Sequence, residues 1–360
     1  MRRSVRGRSV PVWALGGAFL VLATAGAALA QAPRFDGVTL RVATWGGSWK
    51  DAIHELIGKE LEKRGAKVEY VIGNPRDNMA KLIAARGREA PFDVMEIDDG
   101  IKPQLFEGQF LEELNFANLP NSRDLEPSQR DRHTLATIAA QEGIVYNVKK
   151  FEEQGLSKPE RFKDLFHPKL AGRVSFPDIN HGMVWNAIVG FAVEAGSDES
   201  NIDPGLELIK QLKVSSFYKS SVELSTKFNS GDVWAAVWQV GWVVRLKRAG
   251  VPVAISYPKV KDKHGMLEGV WIGIPKGSKA RPAAEFFIDR YVDPEVQVEL
   301  PKKVGLVPVK KAALARLAAD PELKAVMLLD PAQIRNMYYI DWSKVNVNEW
   351  VNKWSRVMAR

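Results

Sequence analysis

Residues Leu40 to Trp49, LRVATWGGSW, carry the strongest fold signal in this chain. The apolar residues at its start favour a buried β-strand, and the two glycines that follow permit a tight turn with close backbone approach. Ser48 is suited to cap the next helix, because its hydroxyl can accept a bond from a free backbone N–H group. The stretch therefore predicts a ligand-facing turn in which Gly46, Gly47 and Ser48 supply hydrogen-bond donors and Trp45 adds a flat apolar wall.

The helix after this turn is predicted from its apolar spacing and from Gly65, which follows where the helix should end. Strand-like segments then alternate with helical ones, which indicates α/β layers. The predicted strands are Val68–Ile72, Phe92–Ile97, Gly143–Asn147, Val174–Phe176, Val251–Ser256 and Val270–Ile274. The predicted helices are Asp77–Ala85, a segment from about Ser225 to Leu246 with Trp234, Trp238 and Trp242 spaced four apart, and an amphipathic segment from Val347 to Met358.

Three turns follow the carboxyl ends of predicted strands, and open α/β sheets bind ligands at such ends. They are Trp45 to Trp49, Asp98 to Gly100 and Pro177 to His181. Indoles, glycines and carboxylates are therefore expected to gather at one edge of the sheet.

The first residues have the pattern of a secretory signal peptide. Arginines at positions 2, 3, 6 and 8 precede an apolar run from Val10 to Leu22, and Ala28-Leu29-Ala30 provides a small-residue cleavage site. We expect residues 1–30 to be removed after Ala30 and the mature protein to lie in the periplasm. An uncleaved anchor is the alternative, although the run is short for a membrane span. A twin-arginine route is a second one, although Arg2-Arg3 is not followed directly by apolar residues.

Composition excludes several classes of protein. The chain has no cysteine, so disulfides, a catalytic thiol and a lipidated cysteine are excluded. The formal charge of +8 falls to +4 without the four leader arginines, which is too mild to indicate nucleic-acid binding. About 330 mature residues exceed what one core usually supports, so two domains are expected.

Several segments, in this order and spacing, resemble the periplasmic solute-binding proteins of ABC importers. They are TWGGSW, FDVMEID, GIVYN, KDLFHPKLAGRVSFPD, FNSGDVWAAVW, GVWIGIPKGSK with AAEFFIDRYVDPEVQ, and VGLVP. The resemblance is to the spermidine/putrescine-binding group of the bacterial extracellular solute-binding family 1 type and, more distantly, to ferric-ion and thiamine binders. It covers essentially all of the mature chain.

The resemblance implies an α/β, two-lobed periplasmic-binding-protein fold of type II, in which each lobe is a mixed sheet flanked by helices. Crossovers near Gly143, Met266 and Val307 would divide it into lobe 1, residues 31–142 plus 266–306, and lobe 2, residues 143–265 plus 307–360. Such lobes close like a hinge around one small solute. The implied partners are that solute and the transmembrane permease with its cytoplasmic ATPase. A monomer without stable membrane insertion is expected.

Several positions of the polyamine site carry over. Trp45 matches an aromatic residue of the first loop, and Trp49 lies at or near a second. Asp178 falls on a family carboxylate, whereas His181 stands where another acid is expected. Gln239 replaces a family tryptophan.

Other positions depart further from the family. Trp242 replaces an aspartate and Leu306 a tyrosine. Val270 replaces the remaining acid, with Glu268 and Trp271 nearby. The sequence offers Asp98, Asp99 and Asp178 as counter-charge instead.

The ligand is accordingly left open between two classes. A polyamine such as putrescine or spermidine suits aromatic faces and carboxylates, because a dehydrated cation needs both. A zwitterion, such as an amino acid, an aminophosphonate or a thiamine-like compound, suits the glycine turn on one side and the carboxylates on the other. The transport role is the same in both cases.

Catalysis, cofactors and metals are not expected. A secreted enzyme using Asp98 with Asp99, or Asp178 with His181, is the alternative from another class, and an interaction protein with a filled cleft is a third. The five histidines lack metal-ligand spacing, and Tyr338-Tyr339 lies away from the mid-chain tyrosines of the ferric binders. The five histidines are His54, His133, His167, His181 and His264.

Overall fold

The computed structural model describes residues 33–358, so the predicted signal peptide and its cleavage site lie outside the described residues. Its strands are β1 (Thr39–Thr44), β2 (Lys67–Ile72), β3 (Val94–Asp98), β4 (Thr134–Asn147), β5 (Val174–Pro177), β6 (Val214–Tyr218), β7 (Ala235–Gln239), β8 (Val253–Ser256), β9 (Lys259–Val260), β10 (Lys263–His264), β11 (Met266–Gly273) and β12 (Val307–Pro308).

The α-helices are α1 (Ser48–Ile53), α2 (Lys59–Lys63), α3 (Pro75–Ala84), α4 (Lys102–Glu107), α5 (Val148–Glu153), α6 (Val184–Glu194), α7 (Asp203–Gln211), α8 (Ser221–Ser230), α9 (Val240–Arg248), α10 (Arg281–Tyr291), α11 (Val296–Val304), α12 (Lys311–Leu317), α13 (Pro321–Lys324), α14 (Pro331–Arg335) and α15 (Val347–Met358). One wide π-type turn, His54–Gly58, joins α1 to α2. No helix within residues 33–358 is long and apolar enough to cross a bilayer.

One mixed sheet runs through the molecule in the order β2-β1-β3-β11-β4-β7-β5-β6, with β8 and β12 also paired to β4. The two ends are parallel, whereas β11 and β4 at the centre pair antiparallel with their neighbours. Strand β4 changes partner at Glu142, which pairs with Met266 of β11 and with Gln239 of β7. Strand β4 therefore connects the half of the sheet that contains β11 to the half that contains β7.

The hydrophobic cores follow the same division. One core packs Leu40, Ile53 and Phe287 under the first half of the sheet. Another packs Phe176, Phe191 and the tryptophans of the terminal helix under the second half. The amphipathic segment Val347–Met358 forms α15 as predicted, because its apolar stripe covers this second core.

The helix predicted from about Ser225 to Leu246 is wrong. Helix α8 ends at Ser230 because Gly231, with a positive φ of 77°, caps its C-terminus, and β7 follows before α9 begins. A spacing of four residues keeps side chains on one face of a strand as well as nearly on one face of a helix. The tryptophan spacing therefore did not discriminate between the two structures.

Two further predictions need correction. The strand expected at Gly143–Asn147 is only the end of β4, which begins at Thr134; both faces of β4 are buried, so its first half shows no alternation. Ser48 does not cap the helix: Gly47 occupies the N-cap position, with φ 64°, and no side chain caps the N-terminus. Glycine suits this position because a side chain is strained at positive φ.

Candidate ligand-binding cavity

A cavity of about 380 Å³ lies beyond the carboxyl ends of β1, β2 and β3. Its volume is at the lower end of the ~300–1,000 Å³ range typical of small-molecule sites. Residues from both halves of the sheet line it: Trp45, Gly46, Gly47, Trp49, Ile72, Gly73, Asn74, Asp77, Asp98, Ala140, His181, Gly182, Met183, Ser220, Ser221, Val222, Gln239, Trp242, Arg245, Glu268, Val270 and Leu306.

One wall is formed by Trp45 and Trp49, whose rings meet edge to face at 5.3 Å between centroids. Trp49 is fixed from below, because its Nε1 donates a 2.9 Å hydrogen bond to buried Glu96. Thr44 and Tyr291 also donate to Glu96. Burial raises the pKa of Glu96 to about 7, and the three hydrogen bonds oppose that rise. Glu96 therefore positions the aromatic wall and makes no contact with the cavity.

The opposite wall is built on β7 and α9, which the sequence pattern had predicted to be parts of a single helix. Trp242 stacks on Trp238, with centroids 5.3 Å apart and planes within 16° of parallel. The Trp238 Nε1 donates to Ser221 Oγ at 3.0 Å. The guanidinium of Arg245 lies over the outer indole, 4.1 Å from the centroid of Trp242.

Carboxyl groups occupy the inner part of the cavity. Oδ2 of Asp98 and Oε1 of Glu268 converge on Gly182, where an added Cβ would lie 3.0 and 3.4 Å from them. Glu142 lies next to Glu268 and is fully buried. Neither of its oxygens has a hydrogen-bonding partner at normal distance. The site thus holds carboxyl oxygens whose hydrogen bonding is incomplete.

Burial has a large effect on these acids. It raises the pKa of Asp98 to about 6, the repulsion of Asp99 adds to the rise, and the Ile101 N–H group opposes it. It raises the pKa of Glu142 to about 8, with contacts to Glu268 and Asn186 in opposition. It also raises the pKa of Glu268 well above its ordinary value, and nearby Glu142 adds to the rise. Two adjacent carboxyls do not both ionise readily without a cation, because each negative charge repels the other.

Asp99 lies outside the cavity lining. Its Oδ1 accepts hydrogen bonds from Trp271 Nε1 and Tyr339 Oη, both at 2.7 Å, and its Oδ2 accepts one from the Gly269 N–H group at 2.6 Å. All three donors belong to the protein. Asp99 therefore ties β11 and the chain after α14 to the end of β3.

His181 is buried against the second wall and is neutral. Its Nδ1 accepts a hydrogen bond from the Met183 N–H group, so the proton is on Nε2, which faces Ser221 Oγ at 3.2 Å. Burial lowers the pKa of His181 to about 4, and nearby Asp178 only partly opposes this. Ser221 Oγ thus accepts from His181 and Trp238, which leaves its own hydroxyl proton for a ligand.

The structure brings most of the sequence-predicted site residues together. Nine line the cavity: Trp45, Gly46, Gly47, Trp49, Asp98, His181, Gln239, Trp242 and Glu268. Ser48, Asp99 and Asp178 do not. Ser48 Oγ accepts a hydrogen bond from Arg245 at the rim. Asp178 accepts from the backbone and side chain of Asn180 in a local turn.

Sequence reasoning missed Arg245, which lines the cavity, and Glu142, which lies next to the cavity residue Glu268. Glu142 stands in the otherwise apolar strand TLATIAAQEGIVYN, and an acid at such a position was the available signal. Arg245 lies in VVRLKR and was concealed by the other basic residues at the end of α9. The cavity also gains Asn74, Ser220 and Ser221 from the first turns of helices or the loops before them.

Metal ligation finds no support in the described part of the chain, where no group of three or more His, Cys, Asp or Glu side chains could hold an ion. The hydroxyls of Tyr338 and Tyr339 donate to Glu199 and Asp99 respectively. The tyrosine pair is therefore engaged in tertiary contacts.

Solved structures of similar fold include PBP AgtB from A. tumefaciens R10 in complex with agropinic acid, with TM-score 0.74, 17% identity, and coverage of 91% of this chain and 100% of that one. PBP MotA from A. tumefaciens B6 in complex with glucopine gives TM-score 0.73 and 20% identity over 89% and 100% of the two chains. A putative spermidine/putrescine ABC transporter from Listeria monocytogenes has a TM-score of 0.72 and 19% sequence identity, with coverage of 89% of this chain and 98% of that one. The fold is therefore the α/β two-lobed fold of periplasmic binding proteins, as the sequence predicted.

The family model described as bacterial extracellular solute-binding protein matches residues 58–325. The chain belongs to this family, which confirms the resemblance seen in its sequence. No curated protein matches the chain. The family places the protein among extracellular binders of solutes.

Proposed function

We propose that this protein is the periplasmic receptor of an ABC importer and that it captures a small amine-bearing organic solute and releases it unchanged. One observation carries the proposal: the carboxyl groups of Asp98 and Glu268 line the cavity and converge on Gly182, and the fully buried Glu142 lies next to Glu268. An ammonium group supplies both a counter-charge and three hydrogen-bond donors, so it satisfies such a site.

The surroundings of the carboxyl groups support the same ligand chemistry. Asp98 and Glu268 reach the cavity surface, and the indole of Trp45 lines the same cavity. Cations bind well on indole faces, and the gain increases as water is excluded. A polyamine such as putrescine or spermidine is the leading candidate, and the similar structure from Listeria monocytogenes, a putative spermidine/putrescine ABC transporter, supports it.

The proposed lobes are residues 31–142 plus 266–306 and residues 143–265 plus 307–360. The change of partner along β4 at Glu142 supports a boundary at this point. The cavity takes residues from both proposed lobes, among them Trp49 and Trp242. Hinge closure would bury the solute, and the closed form would then dock on the permease, which works with a cytoplasmic ATPase. A periplasmic monomer, cleaved after Ala30, completes the proposal.

A screen of the mature protein tests the function. Diamines, polyamines, amino acids, aminophosphonates and thiamine are added in a thermal-shift assay, in which ligand at 100 times Kd stabilises the fold by ~2.7 kcal/mol. Amine-bearing compounds should raise the melting temperature, and mass spectrometry should recover them unchanged. Recovery of a modified compound would instead indicate an enzyme using Asp98 and Asp99, or Asp178 and His181. If no amine stabilises the protein, the proposed ligand class is wrong.

A further inference from the structure

We propose that the cavity has a second, oppositely charged pole at Arg245, and that the preferred solute is a zwitterion whose oxyanion contacts this guanidinium while its amine contacts Asp98 and Glu268. The proposal rests on the proposed function, because it assumes that the carboxyl groups bind an amine. It narrows the solute class from amines in general to short compounds carrying an ammonium group at one end and a carboxylate or phosphonate at the other.

The hydrogen bonding of Arg245 is incomplete. Its Nε donates to Gly241 O at 3.0 Å, its Nη1 to Ser48 Oγ at 3.1 Å and its Nη2 to Val304 O at 3.3 Å. A guanidinium has five N–H donors, so one remains on each terminal nitrogen. Two such donors are what a carboxylate or phosphonate accepts in a bidentate contact.

The charge of Arg245 is also uncompensated. None of its three acceptors is ionised, and within residues 33–358 no carboxylate lies within 4.0 Å of it. Burial lowers its pKa to about 10, with no acidic neighbour acting in the other direction, so it stays charged at neutral pH. A half-buried cation without an anion is costly to maintain, and an anionic ligand removes that cost.

Arg248, one turn further along α9, shows the ordinary arrangement. Its Nε and Nη2 donate to the two carboxylate oxygens of Glu322 at 2.7 and 3.1 Å. The two arginines share a helix, and they differ in that Arg248 has an acidic partner whereas Arg245 has the cavity. The contrast identifies Arg245 as a binding residue and provides a matched control.

The backbone is shaped to hold the guanidinium at the cavity. A Cβ at position 241 would lie 2.5 Å from Val304 O and 3.2 Å from Arg245 Nη2, so only glycine leaves room for the side chain to fold back. Ser48, from the first turn of α1, accepts from Arg245 across the rim, and its hydroxyl proton remains available. Residues of both proposed lobes therefore fix the arginine at the point where the lobes meet.

Isothermal titration calorimetry on the mature protein tests the second pole. The probes are unbranched ω-amino carboxylates of increasing length, the matched ω-aminophosphonates, the matched diamines and the matched monoamines. At the best length, an amino carboxylate or aminophosphonate should bind at least about 10-fold more tightly than the diamine and the monoamine. The two oxyanion series distinguish a planar carboxylate from a tetrahedral phosphonate. A diamine or monoamine that binds as tightly as both would overturn the second pole and leave the amine site standing.

Variants assign the effect to the residue. Arg245→Gln should weaken the best zwitterion by about 30-fold or more and should not weaken the diamine, since a positive charge has been removed. Arg248→Gln should leave both affinities within about twofold, because surface ion pairs contribute little. Equal losses for zwitterion and diamine, or a zwitterion affinity within about threefold of the parent, would contradict the proposal.

Folding is checked by the unfolding midpoint of each variant. If Arg245→Gln does not fold, Arg245→Lys decides the question, because it keeps the charge and loses the paired donors. The lysine variant should weaken the zwitterion by about threefold or more and leave the diamine unchanged. Failure of every amine-bearing probe would overturn the second pole and the proposed function together, whereas selective failure of the zwitterions would overturn the second pole alone.

Discussion

Two groups of acids lie in or next to the same sheet, and they differ in how many hydrogen bonds the protein donates to them. Glu96 and Asp99 each accept three hydrogen bonds from side chains or backbone of the protein. Glu142 accepts none at normal distance, and Glu268 shares its surroundings. All four have a raised pKa because burial disfavours the charged form.

The comparison shows that burial of an acid does not by itself define a binding residue. A carboxylate with three protein donors positions its neighbours, as Glu96 does for Trp49 and as Asp99 does for Trp271. A carboxyl with unfilled acceptor capacity beside a cavity is a candidate for binding a ligand. Hydrogen-bond accounting therefore separates the structural acids from the candidate binding acids.

The largest effect is expected at Glu268, the acid of the Glu142–Glu268 pair that lines the cavity. Glu268→Gln should weaken an amine ligand by at least about 30-fold, because losing one partner of a buried charge pair typically costs ~2–5 kcal/mol. The same change should raise the melting temperature of the ligand-free protein, since it removes repulsion with Glu142. Calorimetry and thermal unfolding measure the two effects. An affinity within threefold of the parent would place Glu268 with the structural acids.

Replacing Asp99 should reduce the stability of the protein more than its affinity for a ligand. Asp99→Asn puts an NH₂ group against protein donors, so the free energy of unfolding should fall by about 1–3 kcal/mol. The affinity for an amine should fall by less than about tenfold, because the side chain does not line the cavity. Urea denaturation and calorimetry provide the readouts. A large loss of affinity without a loss of stability would erase the distinction between the two groups.

Asp98 in the cavity lining, and Glu142 next to Glu268, should also make binding depend on pH. Because burial raises the pKa of Asp98 to about 6 and that of Glu142 to about 8, both hold protons in the ligand-free protein below those values. An ammonium ligand favours their ionised forms, so its affinity should rise from pH 5 to pH 8, by up to about tenfold per pH unit for each proton released.

Titrations in buffers of different ionisation enthalpy measure the released protons directly. A pH-independent affinity with no proton release would mean that the acids are ionised before the ligand binds. Glu96→Gln is the matched control, since its pKa is raised without contact to the cavity. The ligand-linked proton release should therefore persist in that variant.

The smallest effect is expected at Asp178, which the sequence placed among the ligand acids. Its carboxylate accepts two hydrogen bonds from Asn180, and the residue lies outside the cavity lining. Asp178→Asn should therefore change the affinity for an amine by less than about threefold. A loss of more than tenfold in calorimetry would restore Asp178 to the site.

Much of the fold followed from local pattern. The strand, glycine turn and helix at Leu40–Trp49 formed in that order, and α15 formed over its apolar stripe. The segment containing Trp234, Trp238 and Trp242 was assigned wrongly, because spacing by four does not discriminate helix from strand. The first half of β4 was missed, because a strand buried on both faces shows no alternation.

Some residues of the candidate site were predicted from the sequence, and others were missed or misassigned. Residues at strand ends, such as Trp45 and Asp98, were found because topology alone gathers them. Asp99 follows Asp98 directly and was indistinguishable from it, since only tertiary contacts determine which carboxylate receives Trp271 and Tyr339. Glu142 and Arg245 were missed because a sequence does not show whether a charged group has a partner.

The amino-acid sequence was sufficient to predict the family, the α/β class and the edge of the sheet where ligands are expected, because these depend on the order of strands, turns and helices. The tertiary structure alone decided which acids are satisfied by the protein and which charges face the cavity. Hydrogen-bond partners such as Tyr291 for Glu96, or Glu322 for Arg248, come from positions more than 70 residues away. Whether a charge is available to a ligand depends on such distant donors and acceptors, so it is a property of the packed chain.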